Sequence, residues 1–176
     1  TPSSGAGNPP SGPGDTTPPV TTLTLTGTQG DNGWYTAPVD FSLDATDGES
    51  GVASITAEFT DSPVGPLPPS TVAGETFSAT LSLSGTSTMS YYATDVAGNS
   101  ESPGQASILL DLEDPTIAIT SPGNGAIFDL GDVVLGDYSC ADSMSGVEAC
   151  DGPVADGAAL DTATPGTHAF SVTAVD

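Results

Sequence analysis

Carboxylates are the main chemistry-bearing groups of this chain, and no cationic side chain accompanies them. The 176 residues include 23 aspartates and glutamates, one histidine, and neither lysine nor arginine, for a formal charge of −23. Hard divalent cations such as Ca²⁺ take about six to eight oxygen ligands from carboxylates, carbonyls and water. Inorganic cations are therefore the natural counter-charge of this chain.

Seven acids recur at equivalent turns of the two halves of the chain or crowd the junction between the halves: Asp47, Asp95, Asp111, Glu113, Asp114, Asp142 and Asp176. Their grouping predicts calcium-binding sites at the turns and at the junction. A second interpretation is that aspartates form these turns by accepting hydrogen bonds from their own backbone. The sequence leaves both interpretations open.

The absence of lysine and arginine excludes several classes of function. Nucleic-acid binding requires cationic side chains to neutralise phosphates, and the chain has none. An anionic membrane surface would repel the chain. Arginine clamps for phosphate and lysine Schiff bases are also impossible. We therefore expect neither nucleic acid nor an anionic membrane as a partner.

Catalytic motifs are also missing from the sequence. His168 is the only histidine, and it lies in a threonine-rich run that is typical of a solvent-facing strand. The chain contains neither a nucleophile elbow nor a zinc-protease motif. We expect no enzymatic activity.

Short strands must position the acids. Apolar and polar side chains alternate over residues 20–26, 39–45, 79–84, 89–94 and 106–112. Turn residues separate these runs, and helical periodicity is absent from the sequence. The pattern predicts an all-β fold of antiparallel strands, with about seven strands per sandwich.

An internal repeat organises the chain. Three landmarks recur in the same order: residues 17–20 as 114–117, residues 45–52 as 140–147, and residues 92–95 as 173–176. The sequence predicts a flexible Pro/Gly/Ser linker over residues 1–16, followed by sandwiches over 17–112 and 113–176. The second sandwich is expected to lack its last strand, which either was cut off or comes from a neighbouring chain.

Two cysteines, Cys140 and Cys150, flank the repeated turn of the second copy. The repeat places them at the positions of the apolar residues Ala45 and Ile55. Two strands joined by this turn would bring these positions close, which predicts a disulfide across neighbouring strands. The sequence offers no further cysteine or suitably spaced histidine for a metal site. A disulfide indicates an oxidising compartment, consistent with secretion.

The repeat carries several short motifs besides a D-x-x-P start. Gly33–Thr36 reads GWYT, Asp47–Val52 forms a D-x-x-S-G-V turn, and Ala93–Asn99 reads ATDVAGN. These motifs resemble the bacterial immunoglobulin-like (Ig-like) repeats found in tandem in secreted and cell-surface proteins. The resemblance implies two tandem Ig-like sandwiches that act as a stalk, a spacer, an adhesive unit or an accessory module of an extracellular enzyme.

Trp34 and Tyr35 form an aromatic pair at a strand entry. Such a pair could stack on a sugar ring, which makes both residues candidates for ligand binding. Aromatic residues at this place more often fill the edge of a sandwich core. The sequence does not decide between these interpretations.

Together these features favour a non-catalytic, extracellular structural or adhesive module, such as a spacer, a stalk or a surface-filament segment. One alternative is a glycan-binding accessory module of a secreted hydrolase. Another is a filament subunit that exchanges strands with its neighbour. The expected partners are neighbouring domains of a longer chain, glycans or identical subunits.

Overall fold

The computed structural model describes residues 14–176, so residues 1–13 of the predicted linker lie outside the described part. The described chain is all-β, as predicted, and its paired strands run antiparallel. The helical element within these residues is one short 3₁₀ turn, Asp31–Gly33. None of the described residues belongs to a helix with the length and hydropathy needed to cross a membrane.

Seven strands in the first half form two facing sheets, which we call the first sandwich. The strands are β1 (Val20–Thr26), β2 (Val39–Thr46), β3 (Val52–Asp61), β4 (Ser70–Ala73), β5 (Thr76–Leu81), β6 (Gly85–Asp95) and β7 (Gly104–Leu110). One sheet has the order β1-β2-β5, and the other has the order β4-β3-β6-β7.

The alternation along β2 builds the core of the first sandwich. Phe41, Leu43 and Ala45 point inward and are buried, whereas the residues between them are polar and largely exposed. They pack against Ile55 of β3 and Met89 of β6, which lie in the opposite sheet. Burial of each large apolar side chain stabilises the fold by about 1.5–3 kcal/mol. This core fixes the strand ends from which the acidic turns emerge.

The alternating runs named from the sequence did not include β3 or β4. β3 is a central strand whose apolar and polar side chains alternate over residues 55–60, although it buries the three consecutive residues 55–57. β4 is a short, exposed edge strand. β5 covers Thr76–Leu81 instead of residues 79–84.

The second half forms four short strands in two separate two-stranded sheets. These strands are β8 (Thr116–Ser121), β9 (Asp137–Ala141), β10 (Ala149–Asp151) and β11 (Thr173–Val175), paired as β8-β9 and β10-β11. A sandwich over residues 113–176 that lacks its last strand stays a prediction, because the described strands form two separate sheets here. Tyr138 is buried, whereas Ile127 and Val133 are 94% and 87% exposed.

Candidate metal centre

The structure brings six aspartates together in two clusters of three. The first cluster is Asp15, Asp47 and Asp95, and the second is Asp111, Asp142 and Asp176. Within each cluster the three residues offer carboxylate oxygens that all lie within 4.8 Å of one another. Each cluster takes one aspartate from the segment before a first strand, one from the turn after the second strand, and one from the end of β6 or β11.

Strand pairing shows that the two clusters occupy equivalent places. The residue before Asp47 pairs with Val20 of β1, and the residue before Asp142 pairs with Thr116 of β8. Val20 therefore corresponds to Thr116.

This register corrects the match of residues 17–20 with 114–117 by one position. The first copy has two adjacent prolines here, and either could be matched with the single proline of the second copy. The corrected register aligns Asp15 with Asp111. Asp15 falls inside the predicted linker of residues 1–16, which is why the sequence pattern did not single it out.

The turn after the second strand has the same construction in both copies. Oδ1 of Asp47 accepts hydrogen bonds from the backbone N–H groups of Ser50 and Gly51, at 2.8 and 2.7 Å. Oδ1 of Asp142 likewise accepts one from Gly146 at 3.1 Å. Each turn is thus built on Oδ1, so Oδ2 of the same carboxylate is available to a second partner. Turn formation and cation binding are compatible here.

Asp95 closes the first cluster from the end of β6, where it is 2% exposed. Its two oxygens accept hydrogen bonds from the backbone N–H and the Nδ2–H of Asn99, each at 2.7 Å. Asn99 Nδ2 also donates to the backbone carbonyl of Asp15 at 3.0 Å. Oδ2 of Asp15 is buried and finds no hydrogen-bond donor among residues 14–176. A bound cation would satisfy this oxygen, whose burial is otherwise costly.

Asp111 is fully buried in the second cluster. Its Oδ2 accepts hydrogen bonds from the N–H and the Oγ–H of Ser145, at 2.9 and 2.8 Å. The same Oγ lies 3.1 Å from Oδ2 of Asp176. A serine hydroxyl carries one proton, so it can donate to only one of these two carboxylates at a time. A cation bound between the two carboxylates would neutralise the one that receives no proton from this hydroxyl.

The second cluster lies at the junction of the two halves. Asp111 follows β7, and its backbone N–H donates to the carbonyl of Tyr35 at 2.8 Å. Asn32 Nδ2 donates to the carbonyl of Ser145 at 3.4 Å. Residues of both halves therefore surround this cluster.

Hydrogen bonds keep Asp111 ionised. Burial opposes ionisation, but the amide of Glu113 and the amide and hydroxyl of Ser145 outweigh it and lower the pKa of Asp111. A buried, ionised carboxylate next to two others favours a positively charged ligand.

A fourth carboxylate, that of the exposed residue Glu49, lies beside Asp15 of the first cluster. The side chain of Ser50 and the amide of Thr17 lower the pKa of Asp15 to about 2. Contact with Asp15 raises the pKa of Glu49, because the two acidic groups interact most favourably when one of them holds a proton. Met144 takes the place of Glu49 in the second copy. The first cluster therefore has an acidic neighbour that the second cluster lacks.

The spacing of the carboxylates fits a large divalent cation. Calcium binds oxygen at about 2.3–2.6 Å, so ligands on opposite sides of the ion lie about 4.6–5.2 Å apart. Oxygens within 4.8 Å of one another can surround one such ion. Lysine and arginine are absent from the whole chain, so no side-chain ammonium or guanidinium group can replace the cation.

Two of the seven predicted ligands do not join a cluster. The side chains of Glu113 and Asp114 are exposed, and neither belongs to the second cluster. Glu113 contributes only its backbone N–H, which donates to Oδ1 of Asp111 at 3.0 Å. The acidic run at the junction therefore supplies one carboxylate, Asp111.

Cys140 and Cys150 form the predicted disulfide, with their Cα atoms 5.9 Å apart. Cys140 lies on β9 and Cys150 on β10, and these strands belong to different sheets. The bridge therefore joins two sheets, which corrects the expectation of a bridge between neighbouring strands. The disulfide points to an oxidising compartment.

The two residues of the aromatic pair Trp34 and Tyr35 differ in their burial. Tyr35 is 8% exposed and packs with Val39, Ile108 and Leu110 in the core. Trp34 is half-buried. A sugar could therefore stack on Trp34 but not on the ring of Tyr35.

No protein-family model, curated protein or solved structure matches this chain. The resemblance to bacterial Ig-like repeats stays a prediction from the motifs.

Proposed function

We propose that the chain is a calcium-binding segment of tandem Ig-like modules with a structural or adhesive role outside the cell. The observation that carries this proposal is the pair of equivalent three-aspartate clusters in a chain without lysine or arginine. A cation bound in each cluster would join the segment before a module to the turn and the strand end of that module.

The strand order of the first sandwich supports the Ig-like part of the proposal. Ig-like sandwiches pair their first, second and fifth strands in one sheet and place the third, sixth and seventh in the other. The sheets β1-β2-β5 and β4-β3-β6-β7 follow this scheme, except that β4 pairs with β3, whereas the fourth strand of a constant-type Ig domain pairs with the fifth. The equivalent acidic turns of the second half support a second module of the same type.

A structural role fits the chemistry of the described residues better than catalysis. The clusters build turns and the junction between the halves, and His168 is exposed and belongs to neither cluster. The disulfide supports an extracellular location. The partners on this account are the neighbouring modules of a longer polypeptide.

Thermal unfolding in calcium and in chelator tests this proposal. A ligand that binds only the folded state at about 100 times its Kd stabilises that state by about 2.7 kcal/mol. The melting temperature should therefore rise with calcium and fall again in chelator. Sodium chloride at matched ionic strength separates site binding from general screening of the charge. Equal melting temperatures in calcium, in chelator and in the matched salt would reject the proposal.

A further inference from the structure

Asn99 joins two of the three aspartates of the first cluster. Its backbone N–H and one Nδ2–H donate hydrogen bonds to the two oxygens of Asp95, each at 2.7 Å. Nδ2 also donates to the backbone carbonyl of Asp15 at 3.0 Å, across 84 positions of the chain. A side-chain amide nitrogen carries two N–H bonds, and both are in use here. The side chain of Asn99 therefore connects the end of β6 to the segment before β1.

The turn after β6 holds Asn99 in place through the backbone. The N–H of Asp95 donates to the carbonyl of Asn99 at 3.0 Å, and the N–H of Gly98 donates to the carbonyl of Asp95 at 3.3 Å. Thr94 and Ser100 form an antiparallel bridge around the turn. The position of Asn99 therefore depends on this turn and not on an ion.

The hydrogen bonds of Asn99 leave the cluster able to bind a cation. A carboxylate oxygen has two acceptor sites, so an oxygen of Asp95 that accepts one hydrogen bond can still bind a cation. The amide nitrogen of Asn99 is a donor and cannot itself be a ligand. Oδ2 of Asp15 is buried without a hydrogen-bond donor among residues 14–176, although Asn99 holds the backbone of the same residue. Asn99 therefore orients the ligands and leaves this oxygen for the ion.

Electrostatic repulsion opposes the assembly of this site before an ion binds. The three aspartates offer oxygens within 4.8 Å of one another, and like charges at such distances repel. The chain has no lysine or arginine to offset the repulsion. The N–H groups of Asn99 bring partial positive charge to Asp95 and to the carbonyl of Asp15, and so offset part of it. A site that is assembled before the ion arrives binds it more tightly, because less ordering accompanies binding.

We propose that Asn99 is a positioning residue of the first calcium site, which holds Asp95 and Asp15 in place before the ion binds. This inference rests on the proposed calcium function. Hydrogen-bond partners of metal ligands contribute about 10–100-fold to metal affinity. Both acceptors of the Asn99 side chain belong to residues of the first cluster, so the effect is confined to that cluster.

The test is a calcium titration of the full chain with Asp142→Asn, which disables the second cluster and leaves the first. Isothermal titration calorimetry with calcium chloride measures the Kd. In this background, Asn99→Ala should raise the Kd at least about tenfold. Ser100→Ala is the matched control, because it removes the hydrogen bond between Ser100 Oγ and Thr94 Oγ1 at the same turn, at 2.8 Å, and touches no aspartate of the cluster. It should leave the Kd unchanged.

Melting temperatures separate positioning from a merely structural role. A structural role lowers the melting temperature equally in chelator and in calcium and leaves the Kd unchanged. A positioning role also reduces the rise that a fixed calcium concentration causes, because stabilisation by a ligand depends on its Kd. We therefore expect a smaller calcium-induced rise for Asn99→Ala than for Ser100→Ala.

Two results would overturn the inference, and they are distinguishable. If the chain with Asp142→Asn binds no calcium, the proposed function fails and this inference fails with it. If that chain binds calcium but Asn99→Ala and Ser100→Ala have equal Kd values, this inference alone fails and the calcium proposal stands.

Discussion

At the scale of single residues, the two carboxylate oxygens of each turn aspartate have different roles. One oxygen accepts the hydrogen bonds of the turn, and the other is available to a cation. Oδ1 of Asp47 holds the turn by accepting backbone hydrogen bonds, which leaves Oδ2 available to another partner. The D-x-x-S-G spacing matters because it places Gly51 where φ is +81°, a conformation that strains other residues.

The first prediction concerns this glycine. Gly51→Ala should destabilise the first sandwich by about 1–2 kcal/mol, because alanine is strained at positive φ. Gly48→Ala lies in the same turn without a left-handed φ and with open space around it, so it should change stability little. Urea unfolding of both variants measures the difference. Equal losses would show that the turn does not depend on the left-handed position.

The second prediction concerns the hydrogen bond that the Ser145 hydroxyl donates to Asp111. In chelator, Ser145→Ala should cost about 1.5–3 kcal/mol, because the buried Asp111 loses a hydrogen-bond donor. In calcium the loss should shrink, because the cation then neutralises the carboxylates. Ser143→Ala is the control, since Ser143 is exposed in the same turn. A loss of the same size with and without calcium would contradict a cation at this cluster.

At the scale of elements, the repeat matched Asp47 and Asp95 with Asp142 and Asp176, and the structure brings the two aspartates of each copy into one cluster. Asp15 was not predicted as a ligand. Its place in the first cluster depends on the pairing of β1 with β2 and not on local composition.

The strands also differ in how well the sequence predicts them. The alternation along β2 was enough to predict its inward face, because one side of that strand faces the core. β3 also alternates apolar and polar side chains, over residues 55–60, so the same pattern could have predicted part of this strand.

The third prediction tests the sheet-to-sheet disulfide. Cys140→Ala with Cys150→Ile restores the residues found at the equivalent places of the first sandwich. The loss of the short cross-link should destabilise the second half by about 2–3 kcal/mol, while the first sandwich keeps its unfolding transition. Calorimetry of the variant and of the parent chain resolves the two transitions. A lower melting temperature of the first sandwich in the variant would contradict the expectation that the disulfide stabilises only the second half.

At the scale of the whole molecule, a charge of −23 makes stability depend on protons and cations together. The pKa of Asp15 lies near 2 in the folded chain, below its ordinary value of 3.8, and the pKa of Asp111 is also lowered. A carboxyl group with a lowered folded-state pKa stabilises the fold above its unfolded pKa and loses this contribution as pH falls through the folded value. Glu49, whose pKa is raised above 4.5, acts in the opposite sense at higher pH.

The fourth prediction concerns the pH dependence that the lowered pKa values of Asp15 and Asp111 cause. In chelator, the urea midpoint should fall as the pH is lowered from about 4 to about 2, because protons bind the unfolded chain first. Asp15→Asn should reduce the fall, because its amide does not titrate in this range. A midpoint that is independent of pH over this interval, or an Asp15→Asn curve identical to the parent, would contradict the assignment.

Direct counting of bound calcium tests the central claim. Equilibrium dialysis should find two calcium ions per chain, one for each cluster, and one ion after Asp142→Asn. Asp114→Asn, which removes an exposed acid next to the second cluster, should leave two. No bound calcium, or the same reduction in both variants, would contradict the two-cluster account.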